Sequence, residues 1–180
     1  MSSASLRSLI HIATASVLLV ALWSWELLRA LLHGVVLLGL ALELWRLENP
    51  GFNQRLVRAF PVFREREAGS LSGAFWLAAG YAAASWFPYP WGAAGILVGA
   101  LADPSGALVG RSLGFRGRKS WAGTTAVCAV AGIVLWAFGL PLRVVAGGAL
   151  LAAAVERWSG PLNDNLLIAP CSAAICWLWA

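Results

Sequence analysis

Charged side chains are scarce in this chain. Of its 180 residues only 8 are acidic and 13 are basic, so 12% are charged, whereas 60% are hydrophobic and the mean hydropathy is +0.76. An ordinary soluble domain devotes about a quarter of its residues to charge. The composition therefore excludes a water-soluble globular domain and predicts an all-α protein that crosses the membrane several times.

Cysteine and histidine are also rare, with three and two residues respectively. Cys128, Cys171 and Cys176 all fall inside apolar stretches, and none has the Cys-x-x-Cys spacing of a metal or redox site. This pattern excludes a disulfide framework and a zinc-binding module. We interpret the three cysteines as packing residues.

The apolar residues form long runs, each near the ~20 residues that one bilayer crossing requires. Seven such stretches are predicted to be spans: 8–25, 27–47, 70–87, 91–110, 122–138, 141–156 and 165–180. The first is interpreted as a retained helix and not a signal peptide, because it lacks a small-x-small cleavage site and leads directly into the next stretch. Without a linker or low-complexity run, residues 1–180 are expected to form one membrane-embedded domain, a polytopic transmembrane helical bundle.

Positive charge lies on one set of loops. The loops after the second, fourth and sixth predicted spans carry nine basic residues: Arg55, Arg58, Arg64, Arg66, Arg111, Arg116, Arg118, Lys119 and Arg157. By the positive-inside rule these loops and the N-terminus are expected in the cytoplasm, and seven spans place Ala180 outside. Because these charges adjoin membrane helices, the net charge of +5 favours membrane lipids and a nucleotide as partners, and no nucleic acid.

A polar segment between the second and third predicted spans has helical periodicity. Phe52, Leu56, Val57 and Phe60 recur at helical spacing until Pro61 interrupts the pattern. The segment is predicted to form a short amphipathic helix on the inner membrane surface. It serves either as a membrane-resting connector or as a gate for substrate.

Asp103 lies inside an otherwise apolar run. A carboxylate near the bilayer centre costs roughly 2.5–3.5 kcal/mol, so Asp103 is expected to face a polar cavity or a cation. Gly106 and Gly110 lie on the same helical face, where a phosphate or metal ion can approach the backbone, and Arg111 extends this face toward water. The alternative is that Asp103 pairs with an arginine between two helices.

A basic, glycine-broken loop follows Asp103 and enters the fifth predicted span. It contains Arg116, Arg118, Lys119 and Ser120, and Gly123 opens the next helix. Such a loop can direct cationic side chains and helix N-terminal N–H groups at a polyphosphate. The same residues also suit an ordinary positive-inside anchor.

The order of these residues resembles one known family. Asp103-Pro104-Ser105-Gly106, then Gly110-Arg111, then Lys119-Ser120-Trp121-Ala122-Gly123 are similar to the motif of the integral-membrane CTP-dependent lipid-alcohol kinases, which include dolichol kinase, phytol kinase and the CTP-dependent diacylglycerol kinase. The related phosphatidate cytidylyltransferases share part of it. Two positions differ from the family: Pro104 replaces a small residue, and Ala122 stands where glutamate is usual, so one polar contact to donor or metal is expected to be missing.

Further matches follow in the family's order from about Arg7 to Asn165. They are Arg7 with His11, Glu43 with Arg46, Arg64 with Glu67 before Ser72-Gly73, and Glu156 before Asp164-Asn165-Leu166. Each has a plainer interpretation. Glu43 and Arg46 suit a mutual pair three residues apart, His11 an interfacial histidine, and Asp164 and Asn165 helix N-caps.

The resemblance implies an enzyme that moves the terminal phosphate of a nucleoside triphosphate, expected to be CTP, to the hydroxyl of a lipid alcohol such as a polyprenol or dolichol, a phytol-like alcohol or diacylglycerol. Mg²⁺ is the implied cofactor. The implied roles are metal binding by Asp103 and Asp164, with Asp164 alternatively a base; phosphate or nucleotide contacts by Gly106, Gly110, Arg111, Arg118, Lys119, Ser120, Gly123 and Asn165; a catalytic contribution from Glu156; and support from His11, Glu43, Arg46, Arg64 and Glu67.

Two other functions fit parts of the sequence. A cytidylyltransferase acting on a phospholipid phosphate shares the Gly-Arg and Lys-Ser-Trp-x-Gly features. A small membrane transporter would use Asp103 as an ion-coupling site, because intramembrane acids mark such pathways. The sequence leaves the acceptor alcohol, the donor base and the oligomeric state open.

Overall fold

The structure, a computed structural model, describes residues 3–60, 63, 65–115, 119–159 and 162–180. These residues form helices and no strand. The α-helices in this part of the chain are α1 (Ser3–Ala13), α2 (Trp25–Glu48), α3 (Pro50–Ala59), α4 (Gly73–Ala84), α5 (Trp91–Ser112), α6 (Trp121–Ala137), α7 (Leu142–Trp158) and α8 (Asp164–Trp179). Two 3₁₀ helices, Thr14–Leu22 and Glu65–Gly69, follow α1 and α3.

The all-α prediction is confirmed, and each of the seven apolar stretches contains a helix. Among the described residues, three helical segments are long and apolar enough to cross a membrane, namely Ala4–Leu22, Trp25–Glu48 and Trp91–Ser112. Helix α4 is shorter than predicted, with 12 residues. It begins at the N-cap Ser72 and cannot continue past Ser85, because Pro88 and Pro90 follow.

The predicted amphipathic helix is present as α3. Pro50 occupies its first turn, where a missing N–H costs nothing, and the helix ends at Ala59, two residues before Pro61. Its position at the membrane surface stays a prediction.

Helix α5 lies at the centre of the bundle and packs against α1, α4, α6 and α8. Small residues allow this close packing, as is usual for helices in lipid. A Cβ atom on Gly95 would lie 2.4 Å from the Ala169 carbonyl oxygen, and one on Gly99 would lie 3.1 Å from the Ala169 Cβ. Since Gly95 also meets Ala173, α5 and α8 run antiparallel with a defined register.

The polar residues gather at one end of the bundle, where α2, α5 and α7 end and α4, α6 and α8 begin. Hydrogen bonds join these helix ends: for example, the Ser72 N–H donates to Glu43 Oε2 at 3.2 Å, and Thr124 Oγ1 donates to Glu156 Oε2 at 3.0 Å. We call this the polar end. It contains the described parts of the three loops that are rich in basic residues.

Gly80 gives a direct test of the packing between α4 and α8. A Cβ atom here would lie 2.4 Å from the Asn165 carbonyl oxygen and 2.9 Å from that of Leu166, and neither backbone atom can move aside alone. Gly80→Ala is therefore expected to lower the free energy of unfolding by about 1–3 kcal/mol. Thermal unfolding of the purified protein in detergent measures the change.

Gly34→Ala is the matched control. No atom lies within 4 Å of a Cβ at Gly34, so the gain in helix propensity is expected to leave stability unchanged or slightly higher. An unfolding temperature for Gly80→Ala equal to that of Gly34→Ala would contradict the close α4–α8 contact.

Candidate functional site

A cleft of about 780 Å³ opens at the polar end. The 3₁₀ helix Glu65–Gly69 and the start of α4 form one wall, and the other is formed by Lys119 before α6, the end of α7 and the start of α8. Its polar and aromatic lining includes Glu67, Trp76, Lys119, Arg157, Ser159 and Asp164. The volume falls within the range of small-molecule sites, about 300–1,000 Å³.

Lys119 joins the elements of the second wall. Its Nζ lies 2.9 Å from Asp164 Oδ2, 3.9 Å from Glu156 Oε1 and 3.3 Å from Ser159 Oγ, and it also donates to the backbone carbonyl of Glu156. The side chain remains 38% exposed and lines the cleft. The structure thus brings together three residues predicted from distant segments: Lys119, Glu156 and Asp164.

The start of α8 orients Asp164. Asn163 is the N-cap, and its Oδ1 accepts the Asn165 N–H at 3.1 Å. Asp164 Oδ1 accepts the same N–H at 3.1 Å, which leaves Oδ2 for Lys119. Asp164 is therefore not simply a helix cap: Asn163 is the N-cap, and Asp164 Oδ2 pairs with the Lys119 ammonium.

Asn165 reaches across to α4. Its Nδ2 donates to the Gly73 carbonyl oxygen at 3.2 Å, while its Oδ1 is buried without a hydrogen-bond partner. A buried acceptor of this kind is costly to leave unpaired and is suited to a ligand's N–H or hydroxyl group. Gly73 is tightly placed, since a Cβ there would lie 3.3 Å from Asn165 Nδ2 and 3.4 Å from Glu67 Oε1.

Ser120 and the glycines predicted to contact phosphate occupy structural positions. The buried Ser120 hydroxyl caps α6 by accepting the Gly123 N–H at 3.0 Å. A Cβ on Gly123 would lie 2.8 Å from the Gly106 carbonyl oxygen, and one on Gly110 would lie 3.3 Å from Ser120 Oγ. These residues seat α5 against α6, and they are not among the described residues that line the cleft.

Asp103 lies on α5 facing α1. Its Oδ2 is 3.6 Å from His11 Nδ1, and its side chain is 22% exposed. Two turns further along, Arg111 Nη2 donates to Ser8 Oγ at 2.9 Å. The structure therefore brings His11, from the family-like Arg7–His11 motif, next to Asp103, from the motif around residues 103–111. These two residues are 92 positions apart in the sequence.

The helix register relates Asp103 to the start of α8. Gly95 faces Ala173 and Gly99 faces Ala169. Continuing this antiparallel register by one turn sets Asp103 at the level of Asn165. Asp103 is not among the described residues lining the cleft, but it lies at the same height in the bundle as the residues that begin α8.

Glu43 and Arg46 form a buried ion pair with 2.5 Å between Oε2 and Nη2. Arg46, only 2% exposed, also donates to Asn53 Oδ1 at 2.7 Å, to the Glu67 carbonyl at 3.0 Å and to the Ser70 carbonyl at 2.8 Å. The interpretation of Glu43 and Arg46 as a mutual pair is confirmed. Their role is to fix the wall of the cleft, and removing either partner would leave an uncompensated buried charge.

Two residues that line the cleft, Arg157 and Trp76, were not predicted from the sequence to be functional. Arg157 lines the cleft, donates to the Lys119 carbonyl at 3.0 Å and stacks 4.4 Å above the Trp121 ring centroid. Trp76 also lines the cleft. No spacing in the sequence marks these two residues. Arg64, Arg116 and Arg118 lie outside the described residues.

The acidic residues offer few ligands to a metal ion. Within the described ranges, no group of three or more His, Cys, Asp or Glu side chains lies close enough to hold a metal by itself. Mg²⁺ in phosphoryl-transfer sites is usually held by one or two carboxylates together with water and substrate phosphates. Asp164 lines the cleft and fits that more limited requirement, whereas Asp103 contacts His11 on α1 and is not among the described residues that line the cleft.

Comparisons with known proteins identify no relative: no protein-family model matches the chain, and neither a curated protein nor a solved structure matches it. The family resemblance therefore depends on the motifs and their order alone.

Proposed function

We propose that this protein is a membrane-embedded kinase that transfers the terminal phosphate of a nucleoside triphosphate, CTP in the first instance, to the hydroxyl of a lipid alcohol. The observation that carries the proposal is the Lys119–Asp164 pair, 2.9 Å apart in a ligand-sized cleft and beside Glu156. The order of the motifs supplies the reaction class.

The proposed topology gives the nucleotide access to the cleft. All seven apolar helical stretches cross the membrane, with α3 resting on its inner surface, and the N-terminus and the polar end face the cytoplasm. Three long apolar helices and the basic loops support this arrangement. CTP then enters from the cytoplasm while the lipid enters from the bilayer.

The cleft offers positive charge where a polyphosphate needs it. Phosphoryl transfer depends mainly on positioning and on stabilising charge at the phosphate oxygens. Lys119 and Arg157 are the described cations that line the cleft. When a polyphosphate binds, Lys119 exchanges its contact with Asp164 for phosphate oxygens, and charge-assisted hydrogen bonds replace the ion pair.

The reaction breaks the bond between the γ-phosphorus and the β–γ bridging oxygen and forms a bond from the same phosphorus to the lipid oxygen. CDP leaves, and the hydroxyl proton passes to the Asp164 carboxylate once Lys119 has turned to the phosphates. In its alternative role, as a second ligand beside Asp103, Asp164 would help to hold Mg²⁺, which would supply positive charge at the phosphates. Asn165 Oδ1, which has no partner in the protein, accepts a hydrogen bond from an N–H or hydroxyl group of the ligand.

Release of CDP tests this proposal. The purified protein in lipid vesicles is given CTP and Mg²⁺, with and without a long-chain alcohol. Formation of CDP and phosphorylated alcohol only when the alcohol is present supports the kinase. Pyrophosphate released in the presence of phosphatidate would indicate the cytidylyltransferase instead, and binding of a solute without any need for nucleotide would indicate a transporter.

Trp76 is proposed to stack on the donor base. Stacking of one base on an aromatic ring is worth about 1–3 kcal/mol, so Trp76→Leu is expected to weaken CTP binding by about 5-fold to 150-fold. Tripolyphosphate has no base, and its binding is expected to stay unchanged. Competition of both ligands against a labelled nucleotide measures the two effects.

Two variants control this experiment. Trp76→Phe keeps a ring and is expected to retain most of the affinity, and Trp136→Leu removes an exposed tryptophan of α6, remote from the cleft. Equal weakening of CTP and tripolyphosphate by Trp76→Leu would contradict base stacking.

A further inference from the structure

A second cavity, of about 380 Å³, lies between α2, α3 and α4. Apolar and aromatic side chains form most of its surface, and Gly39, Trp45, Phe52, Leu56, Phe75 and Ala78 are among them. Helix α2 is scarcely covered by the rest of the protein, because only 17% of its most apolar 18-residue stretch is buried. The cavity, called the groove below, therefore opens toward the surroundings of a membrane-spanning helix.

The groove and the cleft lie on two sides of one short segment. Ser70 and Leu71 line the cleft, whereas Ser72 lines the groove. Arg46, at the polar end of the groove, donates to the carbonyls of Glu67 and Ser70 in this segment. A molecule lying in the groove thus has its polar end next to the wall of the cleft.

The charges at the polar end of the groove compensate each other. Glu43 and Arg46 form an ion pair at 2.5 Å, and Glu43 also accepts the Ser72 N–H. The arrangement is neutral and polar, so it suits an uncharged hydroxyl better than an anionic headgroup such as a phosphate. The rest of the groove is apolar over its length, as a hydrocarbon chain requires.

We propose that the groove binds the single apolar chain of the acceptor alcohol, with the hydroxyl directed toward residues 70–72 and so toward the cleft. This inference rests on the proposed function and adds the acceptor class, an alcohol with one long chain. A volume of about 380 Å³ lies near the lower end of the range of small-molecule sites, about 300–1,000 Å³, so one chain fills it, whereas diacylglycerol brings two.

Gly39 and Gly34 provide a matched pair of variants on the same helix. A Cβ on Gly39 would lie 3.6 Å from Phe75 Cδ2, at ordinary contact distance, so Gly39→Leu fits the helix but extends its branched end into the groove. Gly34 does not line the groove, and no atom lies within 4 Å of its Cβ position. Both changes to leucine alter helix propensity equally.

Photolabelling measures occupancy of the groove without any need for turnover. The protein in phosphatidylcholine vesicles is irradiated with a long-chain alcohol carrying a diazirine, and labelled peptides are identified by mass spectrometry. Labelling of α2, α3 or α4 is expected in the natural protein, with a fall of about tenfold or more in Gly39→Leu and no change in Gly34→Leu. Ala78→Leu fills the groove from α4 and is expected to act like Gly39→Leu.

Competition identifies the occupant. Unlabelled single-chain alcohol is expected to displace the probe, and additional phosphatidylcholine is not. Equal labelling of Gly39→Leu and Gly34→Leu, or displacement by phosphatidylcholine, would overturn the assignment. Displacement by diacylglycerol as effective as by the alcohol would overturn the single-chain class.

Failure of the groove assignment can be distinguished from failure of the kinase proposal. Labelling as expected in a protein that transfers no phosphate would refute the kinase and leave the groove as an alcohol-binding site. Phosphate transfer with the same KM for alcohol in Gly39→Leu and in the natural protein would refute the groove and leave the kinase.

Discussion

Replacing Lys119 by methionine is expected to lower phosphate transfer by about 10²–10³-fold, the usual loss when one preorganised group that stabilises developing charge is removed. Lys119 is the one residue that contacts Asp164, Glu156 and Ser159 together in the described part of the cleft. Methionine keeps the length and the apolar stem but leaves the phosphates without the ammonium. Initial rates with CTP and a long-chain alcohol, at saturating and at low CTP, measure the fall in kcat and in kcat/KM.

Arg143→Met is the control for loss of a positive charge. Arg143 lies at the opposite end of α7 from the cleft, where its Nε contacts the Trp179 carbonyl at 3.4 Å. Its replacement is expected to leave the rate within twofold or so, as for most surface substitutions. Thermal unfolding of each variant separates a catalytic effect from misfolding. A folded Lys119→Met protein with the natural rate would remove Lys119 from the mechanism.

Replacing Asp103 by asparagine is the second change with a large expected effect, a loss of roughly 10²–10³-fold in turnover, as when one preorganised group that stabilises charge is removed. The two side chains have the same shape, but the amide carries no negative charge for a cation bound with the phosphates. The contact with His11, whose Nδ1 lies 3.6 Å from Asp103 Oδ2 in the natural protein, would lose its carboxylate partner. The rate is measured over a range of Mg²⁺ concentrations, because a lost metal ligand raises the Mg²⁺ concentration required.

Glu26→Gln is the matched control for an acid-to-amide change. Glu26 is exposed in the first turn of α2, at the end opposite the cleft, and pairs only weakly with Arg29 in solvent. Its replacement is expected to change neither the rate nor the Mg²⁺ requirement. Full activity of Asp103→Asn, in protein of equal abundance and stability, would contradict the assignment of Asp103.

The helices other than α3 could be predicted from the sequence, because each corresponds to an apolar run of roughly the length that crosses a membrane. The amphipathic helix α3 followed from the spacing of Phe52 and Leu56 and from Pro61. The length of α4 was wrong, since the apolar run 70–87 continues past the point where Ser85 and the following prolines end the helix. Hydropathy depends only on how apolar the residues are, so it does not show that Pro88 and Pro90 prevent the helix from continuing.

The site was predictable residue by residue but not as an arrangement. Lys119, Glu156 and Asp164 are separated by up to 45 residues, and only the antiparallel packing of α6, α7 and α8 makes them neighbours. The same limit applied to Ser120, whose hydroxyl caps α6. A Ser immediately before a helix has the pattern of both a phosphate contact and a cap.

Trp76 and Arg157 were missed for a different reason. Tryptophans are expected near the ends of membrane spans and arginines in cytoplasmic loops, so neither residue type stood out from its background. Which of them faces the cleft depends on the rotation of its helix, and that is fixed by close contacts such as Gly80 against the Asn165 carbonyl.

Transfer of label from CTP tests the central claim most directly. The purified protein in lipid vesicles receives Mg²⁺, long-chain alcohols and phosphatidate, with CTP labelled in the terminal phosphate in one arm and in the α-phosphate in the other. A kinase moves the terminal label into the alcohol fraction and leaves the α-label in CDP. Label reaching lipid only from the α-phosphate, or from neither position, would contradict the account.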